Sequence, residues 1–280
     1  MSAPLSITLI VSTINRKEPL VRLLDSLTIQ NYPYVTVLLG DQNPRSYLKD
    51  IIEQYTAKLD INYHPIQPQS LSSARNMLLP YIKGDIFALT DDDCLYLPDT
   101  LEKVAHIFHK HKAVSALIGR PSYTTTSHYF KHENRYTVFK QAPSWLLFFR
   151  MEVARAVGAF DTNLGIGASS PFQSGEETDY LLRALNIGFQ IYRSSDVAVW
   201  HPKLEEENAD LDKARGYAFG RMELLRKHAF PLWFKIINVL MPLCAPGFLS
   251  ARKYRTAIFW ARLKGLLGLI PGKKRRSGLF

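Results

Sequence analysis

Cysteine is nearly absent: the 280 residues include only Cys94 and Cys244, far apart, with neither zinc-site spacing nor the density of a disulfide framework. That usage fits a reducing, cytoplasmic compartment. Glycine is missing from every position before Gly40, which excludes the Gly-x-Gly-x-x-Gly turn of a dinucleotide-binding first strand and disfavours a dehydrogenase. Long clean apolar runs are missing too. The longest apolar stretch, Phe230 to Leu249, is broken by Lys235, Pro242, Pro246 and Gly247, whereas a membrane-spanning helix needs about 20 apolar residues. It reads as an interfacial or re-entrant segment. Residues 1–6 are short and uncharged and lead straight into a strand-like run, so no signal peptide is visible and export is disfavoured.

What is present is ordinary globular usage, 46% hydrophobic and 21% charged, which argues against a disordered or collagenous chain. The net charge of +10 is not spread evenly. Met1 to Pro202 holds 19 Lys plus Arg against 19 Asp plus Glu, and Lys203 to Phe280 holds 16 against 6, the whole excess. A basic block at one end, interleaved with Trp, Phe, Leu and Ile, suits an anionic surface. No nucleic-acid-binding motif accompanies the charge, so a membrane is the preferred partner and nucleic acid is not expected.

The first ninety residues alternate strand and helix signals, the pattern of βαβ units around a parallel sheet. Strands are expected at Ile7–Val11, Val35–Leu39, Ile61–Tyr63 and Ile86–Leu89. Helices are expected from Pro19 through Leu20, Leu23, Leu24 and Leu27, over Tyr47–Tyr55, and over Ser72–Leu79. Beyond Asp93 the pattern is less regular: a helix over Asp99–His109, a strand over Ala116–Gly119, a polar loop Ser122–Asn134, helices over Met151–Val157 and Glu176–Asn186, and a strand over Val197–Trp200. From Glu205 on the chain reads as helix or interface segment. The fold class is α/β, with a basic, amphipathic, helical C-terminal extension. The expected organisation is two halves of one domain, 1–95 and 96–205, followed by 206–280 as the extension.

In open parallel sheets ligands sit beyond the carboxyl ends of the strands. Three expected strand ends are polar: Ser12, Thr13, Asn15 and Arg16; Asp41, Gln42 and Asn43; and Asp91, Asp92 and Asp93. Three adjacent carboxylates repel unless solvent, protonation or a cation relieves them. Mg²⁺ or Mn²⁺, which takes oxygen ligands and substrate phosphate, is a natural remedy. Taken alone, the triplet is equally a turn leading into the helix near Asp99.

The run Val11-Ser12-Thr13, Asn15-Arg16, Asp41, Ala74-Arg75-Asn76 and Thr90-Asp91-Asp92-Asp93 resembles the N-terminal half of inverting family 2 glycosyltransferases. The resemblance continues, in order, through Val157-Gly158-Ala159-Phe160-Asp161, Gly175-Glu176-Glu177-Thr178-Asp179 with Arg183, and Val199-Trp200-His201-Pro202. It covers about residues 5 to 205, and it implies that 1–95 is the nucleotide-sugar-binding half and 96–205 the acceptor-binding and catalytic half of the same domain. It implies a GT-A fold, a Rossmann-like, mostly parallel sheet flanked by helices, with a nucleotide-sugar donor, a UDP-sugar in preference, and transfer with inversion to a hydroxyl acceptor.

The site residues follow from that resemblance. Ser12, Thr13, Asn15, Arg16 and Asp41 would line the base and ribose pocket, Arg75 the diphosphate or ribose side. Asp93 would bind the divalent cation, Mn²⁺ or Mg²⁺, with Asp91 or Asp92 nearer the ribose and the metal's waters, and His201 a further candidate ligand. Glu177 stands where the family usually has the aspartate that acts as general base. Glu176 is held in reserve, and Asp179 and Arg183 suit an i,i+4 ion pair. Trp145 and Tyr123 could stack on a sugar or belong to the core, and the small-residue loop from Gly165 to Gly175 could act as a lid.

With the basic extension, the resemblance points to a lipid-linked glycan acceptor, polysaccharide or surface-glycan synthesis, and a peripheral position on the inner face of the plasma membrane. The competing readings are a noncatalytic nucleotide- or membrane-binding scaffold of the same fold and a nucleotidyltransferase. The latter would want a glycine-rich, basic phosphate loop near the first strand, where only Arg16 and Lys17 are found. A glycosidase would have no use for a nucleotide pocket.

Overall fold

A strand buried on both faces reads as a near-continuous apolar run, and Ile7-Thr8-Leu9-Ile10-Val11, with Thr8 its one polar residue, is such a run, buried throughout. The computed structural model describes residues 3–124, 126–139, 142–202, 210–244 and 252–270. These divide into two units, one of residues 1–69, 73–160 and 180–202, the other of residues 70–72, 161–179 and 203 onward.

The first unit carries a nine-stranded sheet. Its strands are β1 (Ile7–Thr13), β2 (Val35–Asp41), β3 (Asp60–Pro65), β4 (Ile86–Asp91), β5 (Leu95–Tyr96), β6 (Ala116–Pro121), β7 (Phe130–His132), β8 (Leu147–Arg150) and β9 (Ile191–Trp200). The order is β3-β2-β1-β4-β8-β6-β9-β5, with β7 also on β9. β3, β2, β1 and β4 are parallel, β8 is antiparallel to both neighbours, and β6 and β9 are again parallel. The helices that begin or lie here are α1 (Lys17–Thr28), α2 (Lys49–Thr56), α4 (Thr100–Lys110) and α5 (Met151–Val157), while α3 (Leu71–Leu78) and α6 (Glu176–Asn186) start in the second unit.

Helical spacing selects the buried face of α1: Leu20, Leu23, Leu24 and Leu27 are all buried. The helix starts two residues before Pro19, which therefore sits in the first turn, where its missing N–H has no intrahelical partner to lose. Gly158, with φ +74°, ends α5 as expected of a residue that takes the left-handed region without penalty.

Four strands depart from the sequence expectation, the two-residue β5 having no counterpart in it. The polar segment 122–134 contains β7, paired antiparallel to β9 with Phe130 opposite Ser194. β8, Leu-Phe-Phe-Arg, sits between β4 and β6 with no alternation to announce it. β9 runs ten residues instead of four, because its polar first half is satisfied inside the sheet. There Arg193 Nε donates to Glu133 Oε1 at 2.8 Å, and Ser195 accepts from Tyr129 N at 2.8 Å.

The second unit contains α7 (Leu211–Lys227), α8 (Leu232–Cys244) and α9 (Arg252–Leu266). Asp210 caps α7 by accepting from Asp212 N at 2.8 Å. Ala218, Phe219 and Ala261 join α7 to α9, and a Cβ on Gly265 would come within 2.8 Å of Met222 Cβ, so the helices meet where a side chain is missing. α8 buries Asn238, Val239 and Pro242 but leaves Leu232, Trp233, Ile236, Ile237, Leu240, Met241 and Leu243 exposed. Among the described residues, no helix is long and apolar enough to cross a membrane. The end of the Phe230–Leu249 stretch, the expected boundary at 205/206 and the basic run Lys273–Arg276 lie outside the described residues.

Candidate active site

The parallel register puts three strand ends side by side: Thr13 is opposite Asp41, and Ser12 is opposite both Gly40 and Asp91. The loops beyond them are laced together. Asn15 adopts φ +55°, a region Asn tolerates better than most side chains, and its N–H donates to Asn43 Oδ1 at 2.6 Å. Asn43 in turn donates its N–H and Nδ2 to Asp41 Oδ1 at 2.9 and 2.6 Å, while Tyr63 donates its hydroxyl to Asp41 Oδ2 at 2.8 Å. Asp41 is thus fully buried with both oxygens engaged. Gln42 donates to Ser12 Oγ at 3.0 Å and accepts from Gln69 N at 2.8 Å.

The three aspartates at the end of β4 meet three different environments. Asp91 accepts from Ser144 Oγ at 2.9 Å and pairs with Arg75 at 3.3 Å, the guanidinium being buried. Asp92 is buried, accepts from Thr13 Oγ1 at 2.7 Å and lies 3.2 Å from Arg16. Burial pushes its carboxyl up to about 6, with the Thr13 hydroxyl and Arg16 only partly opposing. Asp93 is also penalised by burial, but the His201 ring and the Arg16 guanidinium outweigh that and bring it down to about 2.

His201 follows β9. Its Nδ1 lies 2.8 Å from Pro202 O, and its Nε2 lies 3.1 Å from Asp93 Oδ1 and 3.9 Å from Asp91 Oδ2. Burial lowers the His201 pKa, but the aspartates prevail and raise it. The indole of Trp145 stacks on the imidazole at 4.9 Å with 12° between planes. That ring is buried, which settles Trp145 as packing for His201, whereas Tyr123 is exposed. Asp91, Asp93 and His201 offer one ligand atom each, all within 4.8 Å of one another. Among the described residues Asp93 Oδ1 is a buried oxygen with no hydrogen bond, His201 Nε2 being an ion-pair contact at 3.1 Å. An oxygen left so is suited to a divalent cation, and the two-carboxylate, one-imidazole set fits one.

In the second unit, the turn that opens α6 carries the acidic cluster. Glu176 is buried and Glu177 partly exposed. Gly165, at φ +98°, leaves room for the Glu176 carboxylate: a Cβ there would lie 2.9 Å from Glu176 Oε2 and from Ser72 Oγ. Asp179 is fully buried, 2.7 Å from Lys227 Nζ and 2.8 Å from His228 Nε2, and Lys227 reaches Asp161 as well at 2.7 Å. A Cβ on Gly220 of α7 would lie 2.5 Å from Ser174 O, so the helix presses directly on the backbone before the turn. In the first unit Arg183 donates to Val157 O and Ala159 O, both at 2.8 Å.

A sequence model described as Glycosyl transferase family 2 matches residues 8–169, more than half of the chain. The chain belongs to glycosyl transferase family 2. No curated protein sequence matches it. Among solved structures, the family 2 chain resembles Staphylococcus aureus TarS 1–349 in complex with UDP-GlcNAc at 17% identity and TM-score 0.64, covering 95% of this chain and 73% of that one. A longer TarS structure matches at 19% identity and TM-score 0.58, with only 53% of its length covered. The mannosyltransferase PcManGT of Pyrobaculum calidifontis, in complex with GDP-Man and Mn²⁺, matches at 16% identity and TM-score 0.68 over 95% of this chain and 88% of that one. At these identities the likeness is one of fold, and the fold is GT-A.

Tyr63, Ser144 and Trp145 are site residues that the sequence reading of this family 2 chain did not assign to their roles. Tyr63 carries a usable signal, because it lies opposite Leu39 one strand over, close to Asp41. Ser144 carries none, since it arrives from a short 3₁₀ turn far from the aspartates in sequence.

Proposed function

We propose that this glycosyltransferase moves a sugar from a nucleotide-sugar donor, a UDP-sugar in preference, to the hydroxyl of a lipid-linked glycan acceptor with inversion at the anomeric carbon, in surface-glycan synthesis on the cytoplasmic membrane face. The observation that carries the reading is the convergence of Asp41, Arg16, Arg75, the three aspartates and His201 at adjoining strand ends. Ser12, Thr13, Asn15, Arg16 and Asp41 bound the base and ribose end, Arg75 lies on the diphosphate or ribose side, and Asp91 or Asp92 lies nearer the ribose and the metal's waters. Asp91, Asp93 and His201 hold a divalent cation, Mn²⁺ or Mg²⁺. A cation held there would supply positive charge to offset the negative charge growing on the departing nucleoside diphosphate.

Glu177, the more accessible glutamate of the pair, acts as general base on the acceptor hydroxyl, a role worth about 10²- to 10⁴-fold. Asp179, buried against Lys227 and His228, is structural. Attachment to the membrane draws on the basic C-terminal block and the exposed apolar face of α8.

Calorimetric titration with UDP, GDP and dTDP, each with and without Mn²⁺, tests the donor site. One nucleotide binding in a Mn²⁺-dependent manner is the expected result. Failure of all three on folded protein refutes the donor reading and favours a noncatalytic scaffold. A donor-hydrolysis assay then tests turnover.

A further inference from the structure

Within the second unit, α7 and α9 enclose a groove of about 550 Å³. Phe219 lies beside Ala261 and Met222 beside Gly265, so the helices run in the same direction. Lys253, Thr256, Trp260 and Lys264 follow one another at three- and four-residue spacing and line the groove from α9, while Arg215 and Phe219 line it from α7. The two lysines are separated by about 16 Å along the helix, with Arg215 between them one turn back from Phe219. No carboxylate lines the groove among the described residues. Among the described residues Arg215 is the one of the three cations with an acidic neighbour, Asp212 at 3.0 Å, and that pair is solvent-exposed and weakly held. Lys253 and Lys264 are exposed, and Trp260 is 57% exposed. An indole left in water beside unpaired cations is the combination that suits the headgroup level of a bilayer.

We infer that this groove seats the phosphates of anionic phospholipid headgroups, with Trp260 against the glycerol and first methylenes. The inference rests on the membrane attachment proposed above and names its ligand site. The charge argument selects lipid: the groove is cationic along its whole length, and α8 in the same unit exposes an apolar face that free phosphate would leave in water.

The test is co-sedimentation of the full chain with phosphatidylcholine vesicles, with and without phosphatidylglycerol. The wild type is expected to sediment with the anionic vesicles only. Lys253→Gln/Lys264→Gln should weaken that partitioning roughly 30-fold, from about a factor of five per basic residue at an anionic surface. Lys110→Gln/Lys112→Gln removes the same charge from exposed positions of the first unit and should change it less than twofold. Unchanged melting temperatures keep folding out of the comparison. Equal losses in the two double variants, or none in the groove variant, overturn the groove while the attachment stands. A wild type that sediments with neither vesicle overturns both. Free glycerol phosphate that displaces the protein from vesicles at the concentration of accessible lipid phosphate assigns the groove to soluble phosphate esters and overturns the choice of lipid.

Discussion

Asp92 is the carboxylate whose removal should stabilise the metal-free protein. It is buried, and burial raises its pKa from the ordinary 3.8 to about 6. The neutral form is therefore favoured by the fold, and the stability this group contributes is fully present below pH 3.8 and lost as pH rises through about 6. A displacement of that size corresponds to about 3 kcal/mol, at 1.36 kcal/mol per pKa unit. Asp92→Asn keeps the size and an oxygen to accept from Thr13 Oγ1, and removes the charge. In urea titrations the variant and the wild type should be nearly equal at pH 4. The variant should lead by about 3 kcal/mol at pH 7 to 8, the gap opening between pH 4 and pH 6. A variant no more stable than the wild type at pH 8, or a gap independent of pH, would refute the reasoning. The same substitution removes a partner of Arg16 at the proposed donor site, so tighter folding should come with weaker nucleotide binding.

The remaining predictions concern the two ends of the reaction and the support beneath them. Glu177→Gln should keep nucleotide affinity and lower kcat by about 10²- to 10⁴-fold, and near-normal turnover would remove Glu177 from the role of base. Asp93→Asn should weaken Mn²⁺-dependent nucleotide binding in calorimetry while leaving any metal-independent binding in place. Gly220→Ala drives a methyl group to 2.5 Å from Ser174 O and should cost about 1–3 kcal/mol in thermal or urea unfolding. A neutral Gly220→Ala would show that α7 does not press on that backbone.

The parallel half of the sheet was legible because β1, β2 and β4 are mostly apolar and its helices keep strict spacing, as Leu20, Leu23, Leu24 and Leu27 do in α1. The polar strand ends were legible for the same reason: Asp41 and Asp91 each close a hydrophobic run. What stayed hidden depends on neighbours distant in sequence. The first half of β9 is polar and looks like a loop until Glu133 and Tyr129 are brought to it. Ser144 and Trp145 occupy a single 3₁₀ turn, too short for any periodicity, yet one donates to Asp91 and the other stacks on His201. Lys227 and His228, partners of Asp179 from the end of α7, offered no signal in the sequence.

Lys227 joins Asp161 and Asp179, and with them α7, the segment after α5 and the turn of Glu176 and Glu177 are tied by one ammonium group. The family-matching stretch ends at residue 169, inside that knot. A hybrid enzyme that grafts the last eighty residues of one relative onto the sheet of another would therefore splice through a buried charge. The turn of Glu176 and Glu177 would inherit an aspartate without its lysine, and the crossover point that spares the fold must lie before Asp161.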